Sequence, residues 1–172
     1  MNRLLPALAL STLLLTGCTT VPEVGGWFDG PPRSGRRIVI DLGDQRAYLY
    51  DGSRLLAQSP ISSGREGKNT PTGTFKVIQK SPNHRSSIYG SYVRDGRVVK
   101  ANVDNRRDRR PAGSKFVGAS MPYFLRFTGA YGLHAGHVPG QPVSNGCVRL
   151  PNSQARRFYH AVALGTPVIV RR

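Results

Sequence analysis

The sequence predicts one β-rich domain with a single helix near its C-terminal end. Three observations predict it: short β-branched and aromatic runs separated by turn residues from Arg36 onward, a switch to helical spacing only after residue 150, and a length suited to one core. Residues 37–42 read as a first strand and 45–50 as a second. Asp51-Gly52 supplies hairpin chemistry before a third strand over 53–62. Residues 64–73 form a polar loop punctuated by Gly and Pro, and 74–80 then set Phe75 and Val77 either side of Lys76, the alternation of a half-buried strand. Weaker strand patterns cover 89–93 and 98–103, and 123–127 with 131–134 form a further pair. Ala155, Phe158, Tyr159 and Val162 then share one helical face, with Asn152 or Ser153 as the expected cap and Gly165 as the expected stop. Pro167–Arg171 returns to strand. No internal repeat or low-complexity segment is present.

The first seventeen residues hold one charge, Arg3, and an apolar run over 4–15 that is too short to span a bilayer and fits an export signal. This leader ends in Leu15-Thr16-Gly17-Cys18, which resembles a bacterial lipobox, so Cys18 is expected to be lipidated and to become the mature N-terminus. Residues 18–35, rich in Gly, Pro and Thr, read as a tether interrupted by Trp27 and Phe28, which are expected to dock on the domain or, as the alternative, on the membrane interface. The folded domain is therefore expected over 36–172. By analogy with Gram-negative lipoproteins, Thr19 after the lipidated cysteine gives no inner-membrane retention cue, and an outer-membrane, periplasm-facing location is expected.

The formal net charge is +16. Such a balance favours polyanionic partners, but export and a lipid anchor set nucleic acid aside and leave cell-wall polymer, lipid head groups and acidic polysaccharide. The densest basic run, Arg106-Arg107-Asp108-Arg109-Arg110, reads as a solvated loop.

With Cys18 lipidated, Cys147 is a lone thiol in Val143-Ser144-Asn145-Gly146-Cys147-Val148-Arg149-Leu150. An unpaired thiol in an oxidising compartment is a liability unless its reactivity is used. His134 stands thirteen positions upstream in Tyr131-Gly132-Leu133-His134-Ala135-Gly136. Taken singly, Cys147 reads equally as a small buried apolar residue and His134 as a satisfied core histidine. Taken together they suit a nucleophile and its base, with thiolate–imidazolium pairing lowering the cysteine pKa. Gly146 permits close backbone approach, and the amides of Gly146 and Cys147 are candidates for an oxyanion site. A metal reading of His134, His137 and His84 with Cys147 is set aside: the loop is Gly-rich, it lacks a second cysteine or nearby acid, and coordination would silence the thiolate. His137 is expected to line the cleft and His160 to be structural or exposed. No metal or cofactor is expected.

Gly132-Leu133-His134-Ala135-Gly136 followed by Ser144-Asn145-Gly146-Cys147-Val148-Arg149-Leu150 resembles the signature of the L,D-transpeptidases with a YkuD-type catalytic domain. The likeness extends over 36–172 and takes in Asn69-Thr70-Pro71-Thr72-Gly73-Thr74-Phe75, Met121-Pro122-Tyr123 and Gly165-Thr166-Pro167-Val168. It implies a sandwich- or barrel-like β domain acting on peptidoglycan stem peptides. In that chemistry a cysteine attacks the bond after meso-diaminopimelate in a tetrapeptide, expels D-alanine, and passes the acyl group to another stem peptide, a lipoprotein lysine, a free D-amino acid or water. Carried over, Cys147 is the nucleophile, His134 the base and the Ala135 carbonyl the group orienting the imidazole. Arg149 matches a motif arginine that holds the donor carboxylate or braces the loop. Asn145 stands where histidine is common and is expected to act through backbone placement or an amide hydrogen bond. Tyr123 is expected at the donor pocket or in the core. A monomer is expected, with a non-catalytic wall-binding lipoprotein as the reading from another class.

Overall fold

The computed structural model describes residues 35–172; the leader, Cys18 and the tether with Trp27 and Phe28 lie outside the described residues. Ten strands and one helix follow in the order β1 (Arg36–Asp41), β2 (Arg46–Asp51), β3 (Arg54–Pro60), β4 (Gly73–Lys76), β5 (Gln79–Arg94), β6 (Arg97–Asp104), β7 (Lys115–Thr128), β8 (Tyr131–Ala135), β9 (Val148–Leu150), α1 (Asn152–Ala161) and β10 (Pro167–Arg171). They form two five-stranded sheets, β3-β2-β1-β10-β4 and β6-β5-β7-β8-β9. Pairing is antiparallel except for β1 with β10 and β8 with β9.

One core joins the sheets. The β-branched and aliphatic residues of the first (Ile38, Ile40, Leu49, Val168, Val170) pack against Leu125, Leu133, Val148 and Leu150 of the second and against Phe158 of α1. Alternation along β1 and β10 sends every second side chain inward, and each fully buried aliphatic contributes roughly 1.5–3 kcal/mol. The mainly β, two-sheet expectation is met.

Several boundaries differ from the sequence reading. The strand expected over 74–80 is two, with β4 leaving the first sheet at Lys76 and β5 entering the second at Gln79. Strands β5 and β7 are far longer than expected. Their stretches over 81–88 and 115–122 carry Pro82, Ser86, Ser87, Gly118 and Pro122, residues that read as loop, yet the two strands pair on either side of a register shift between Arg85 and Gly90. Strand β9 was hidden inside the cysteine motif. Helix α1 has Pro151 at its N-cap, with no side-chain capping bond from Asn152 or Ser153. It ends at Ala161, four residues before Gly165, because Val162 turns extended to enter the core, where it is 3% exposed.

Candidate active site

Positioning begins with the parallel pair β8 and β9, whose register sets Leu133 beside Val148 and His134 beside Arg149. Cys147 immediately precedes β9, so the strand ends bring the cysteine loop to the imidazole strand. Both side chains line one polar cleft of about 1130 Å³, together with Asn145, Arg149, His137, Tyr131 and Arg126.

The cysteine loop is held by residues 62–70. Ser62 and Arg149 exchange backbone hydrogen bonds, the Ser144 amide donates to the Ser63 carbonyl, and the Arg65 amide donates to the Ser144 carbonyl. Buried Gln45 holds this rail from behind, donating to Ser63 Oγ while accepting from the Ser63 amide. Two hydroxyls then fix the peptide units around Gly146. Thr70 Oγ1 accepts from the Gly64 amide and donates to the Gly146 carbonyl at 2.7 Å; Ser144 Oγ accepts from the Gly146 amide at 2.9 Å and donates to the Cys147 carbonyl. Gly146 has φ +122°, and a Cβ there would lie 2.5 Å from the Tyr131 ring, so only glycine fits beneath that tyrosine.

This geometry corrects one expectation. The Gly146 amide is committed to Ser144 Oγ and does not face the cleft as an oxyanion donor. Gly146 serves by conformation instead.

His134 is 7% exposed on β8, and its Nδ1 donates to the Ala135 carbonyl at 2.8 Å. That bond fixes the tautomer and leaves Nε2 as the basic nitrogen. Burial pushes the His134 pKa down to about 4, with the positive ends of Arg149 and His84 adding to the effect and the Ala135 hydrogen bond opposing it. Burial likewise pushes the half-buried Cys147 thiol up, opposed by a hydrogen bond from the Gly132 backbone and by the charges of Arg126 and Arg149. The resting pair is therefore neutral thiol and neutral imidazole, where the sequence reading expected thiolate and imidazolium. At the thiol, desolvation outweighs the surrounding cations; at the imidazole, desolvation and the cations act in the same direction. The thiol donates to the Ala130 carbonyl at 3.6 Å in the turn between β7 and β8.

The remaining sequence candidates divide. Asn145 and Arg149 are half-buried cleft residues, and exposed His137 lines the same cleft. A Cβ on Gly136 would sit 3.2 Å from the Arg149 stem, so Gly136 clears the path that brings Arg149 past His134. Tyr123 is placed in the core of the two alternatives, packed on the apolar cluster with its ring 5.8 Å from Tyr159 and 6.3 Å from His160 of α1. The basic run is a loop whose four arginines are exposed, as expected, and it is pinned by ion pairs. Arg106 pairs with Asp104 at 2.7 Å and Lys100 with Asp108 at 2.6 Å, and the Arg106 hydrogen bond holds the Asp104 carboxyl down to about 2. Ser144, Thr70, Gln45 and Arg126 were missed as site residues. Thr70 and Ser144 stand inside the quoted motifs, but a hydroxyl that binds backbone leaves no spacing signal. Among the described residues, no three His, Cys, Asp or Glu side chains gather closely enough to share a metal ion.

The YkuD family of L,D-transpeptidase catalytic domains matches residues 35–170. The chain belongs to that family. Its members are cysteine-dependent acyltransferases, and the match brackets Cys147, His134 and the rail that holds them. The chain is 31% identical over 138 residues to the probable L,D-transpeptidase YbiS of Escherichia coli K12, covering 76% of this chain and 43% of that protein. It is 26% identical over 138 residues to the probable L,D-transpeptidase ErfK/SrfK of Salmonella typhimurium, covering 76% of this chain and 42% of that one. The chain thus spans less than half the length of these relatives. An L,D-transpeptidase from Mycobacterium smegmatis shares the fold, with a TM-score of 0.61 and 21% identity over 80% of this chain and 59% of that chain.

Proposed function

We propose that this protein is a peptidoglycan L,D-transpeptidase held at a membrane by an N-terminal lipid. The observation that carries the reading is the seating of Cys147 and His134, at adjacent parallel strand ends, in one polar cleft of the family's domain.

The chemistry follows from the residues. As the donor peptide enters, the S–H turns from the Ala130 carbonyl to His134 Nε2, which takes the proton while sulfur attacks the carbonyl carbon of the meso-diaminopimelate–D-alanine bond. The Cys147 amide is the oxyanion donor we assign, a contribution of roughly 3 kcal/mol. His134 returns the proton to the departing amine nitrogen, the C–N bond breaks, and a thioester on Cys147 remains. Because sulfur and imidazole start neutral, this one transfer produces the reactive thiolate inside the closed complex instead of in the free protein. Arg149, with its stem fixed against Gly136, is suited to the donor carboxylate, and Asn145 borders the oxyanion side.

A second stem peptide or a lipoprotein lysine is the acceptor this reading favours. Leu15-Thr16-Gly17-Cys18 supports the lipid anchor, and Thr19 supports an outer-membrane, periplasm-facing site. We propose a monomer.

Incubating the full chain with disaccharide-tetrapeptide and following mass tests the reading. Loss of D-alanine with a cross-linked dimer is the expected result, and Cys147→Ser should abolish it without loss of fold. Loss of D-alanine alone makes the protein an L,D-carboxypeptidase; an unchanged substrate with retained binding makes it a wall-binding lipoprotein.

A further inference from the structure

A second imidazole stands on the wall of the same cleft. His84, on β5, is half-buried and lies parallel to the Phe124 ring, with centroids 4.3 Å apart and an interplanar angle of 12°. Phe124 is fully buried and its ring is in turn 6.3 Å from His134, so one fixed aromatic spaces the two imidazoles. Among the described residues neither ring nitrogen of His84 has a hydrogen-bond partner, in contrast to His134 with its Nδ1 tied down. The carboxylates of this cleft are Asp104 and Asp108, and both are held by ion pairs to Arg106 and Lys100. The cleft walls also carry Arg65, Lys68, Arg85, Arg106, Arg107, Arg126, His134, His137, Cys147 and Arg149, of which Arg126 and His134 interact with His84. Burial and Arg126 push its pKa below the usual imidazole range, which keeps it neutral at neutral pH.

Counting protons on the acceptor side shows what is missing. An acceptor amine arrives as an ammonium with three N–H bonds. As the new C–N bond forms and the thioester C–S bond breaks, one hydrogen stays on the amide. A second passes through His134 to the departing sulfur and restores the Cys147 thiol. The third has no place on His134, which can hold only one at a time. Water as acceptor makes no such demand: one proton restores the thiol and the carboxylic acid product ionises by itself.

We infer that His84 is a catalytic residue of the acceptor half-reaction, the base that strips the surplus proton from the incoming ammonium and releases it to solvent. This rests on the transpeptidase reading above. His84 thereby favours transfer to amines over hydrolysis and has no part in forming the acyl-enzyme.

The test compares the full-length protein with His84→Gln and His84→Phe, the latter keeping the stack on Phe124 while lacking nitrogen. Acyl-enzyme formation from a tetrapeptide donor is followed by mass, and the ratio of amide product to hydrolysis is followed at a fixed concentration of a D-amino acid acceptor. Both variants should acylate within about 2-fold of wild type, and both should lower the transfer-to-hydrolysis ratio by about 10-fold or more, general-base contributions typically being 10²–10⁴. The pH profile of transfer should also lose its imidazole limb. An unchanged ratio, a loss of acylation in parallel with transfer, or rescue by His84→Phe overturns the inference, the last by making the ring a packing element only. Wild type that acylates but yields hydrolysis alone also overturns it, while leaving the acylation chemistry standing. Wild type that never acylates instead sinks the transpeptidase reading beneath it.

Discussion

The corner that holds Cys147 and the arm formed by β5, β6 and the first half of β7 belong to one sheet but are built by opposite means. In the corner, β8 and β9 pair in regular register, His134 and Ser144 are 7% and 1% exposed, and the backbone of Ser144 and Gly146 is tied to Ser63, Arg65 and Thr70 and to the Ser144 hydroxyl. In the arm, β6 exposes its first six residues, and its neighbours Val98 and Val99, which point to opposite faces, are 60% and 39% exposed. Its pairing shifts register at Gly90, Tyr92 and Val93. The arm contributes a wall to the cleft while standing largely outside the core. Precision is concentrated where a reacting atom must be placed to within a fraction of an ångström, and tolerance where a long substrate has only to be bordered.

Removing His134 is the strongest way to break this contrast. With sulfur and imidazole neutral at rest, His134→Gln leaves no proton acceptor beside Cys147. Acylation by the donor should fall by about 10²–10⁴-fold, followed as mass of the acyl-enzyme. The same variant reads the burial. A histidine whose folded pKa is near 4 against about 6.5 unfolded binds fewer protons folded than unfolded between those values. Its contribution is complete above about pH 6.5 and is lost as pH falls toward 4, a difference of about 3 kcal/mol. Urea midpoints taken at pH 7 and pH 4 should drop more in wild type than in His134→Gln. Equal drops would mean that the imidazole is open to water, and the corner no drier than the arm.

Gly146→Ala comes next in size. The methyl would meet the Tyr131 ring and force an L side chain to φ +122°, for a cost of about 3 kcal/mol in thermal or urea unfolding, with acylation lost beyond what stability explains. Full activity with a normal midpoint would show that the loop can shift, and that the hydroxyl clamps of Thr70 and Ser144 are not what aims the sulfur.

Much of this architecture is legible in the sequence, and the failures are physical. Strands β1, β2 and β10 announce themselves because apolar residues recur on one face over a shared core. The candidate nucleophile and base stand out because thiol and imidazole are scarce, with two Cys and four His in the chain. The stretches 81–88 of β5 and 115–122 of β7 were missed because Pro82, Pro122 and a run of serines carry no alternation where neither face is fully buried, and strand identity there comes from the partner. The neutral state of the pair was also out of reach, since it depends on how dry the corner is. Ser144 and Thr70 were unseen in role for a related reason. Thr70 joins the Gly64 amide to the Gly146 carbonyl, which only the folded chain sets side by side, and Ser144 reaches the Gly146 amide and the Cys147 carbonyl because the loop turns back on it.

The arm supplies the smallest effect and the sharpest internal control. Val98 and Val103 lie on the same strand, one 60% and the other 0% exposed. Val103→Thr puts a hydroxyl where water cannot follow and should cost about 1–3 kcal/mol. Val98→Thr exchanges one solvated branch for another and should stay within about 0.5 kcal/mol, with acylation of Cys147 unchanged. The difference locates the boundary at which β6 leaves the core. If Val98→Thr costs as much as Val103→Thr in urea unfolding, the outer strand packs against something in solution, and the arm belongs with the corner as a part that fixes geometry. If both are neutral, β6 is expendable along its whole length, and the wall it lends the cleft carries no stability of its own.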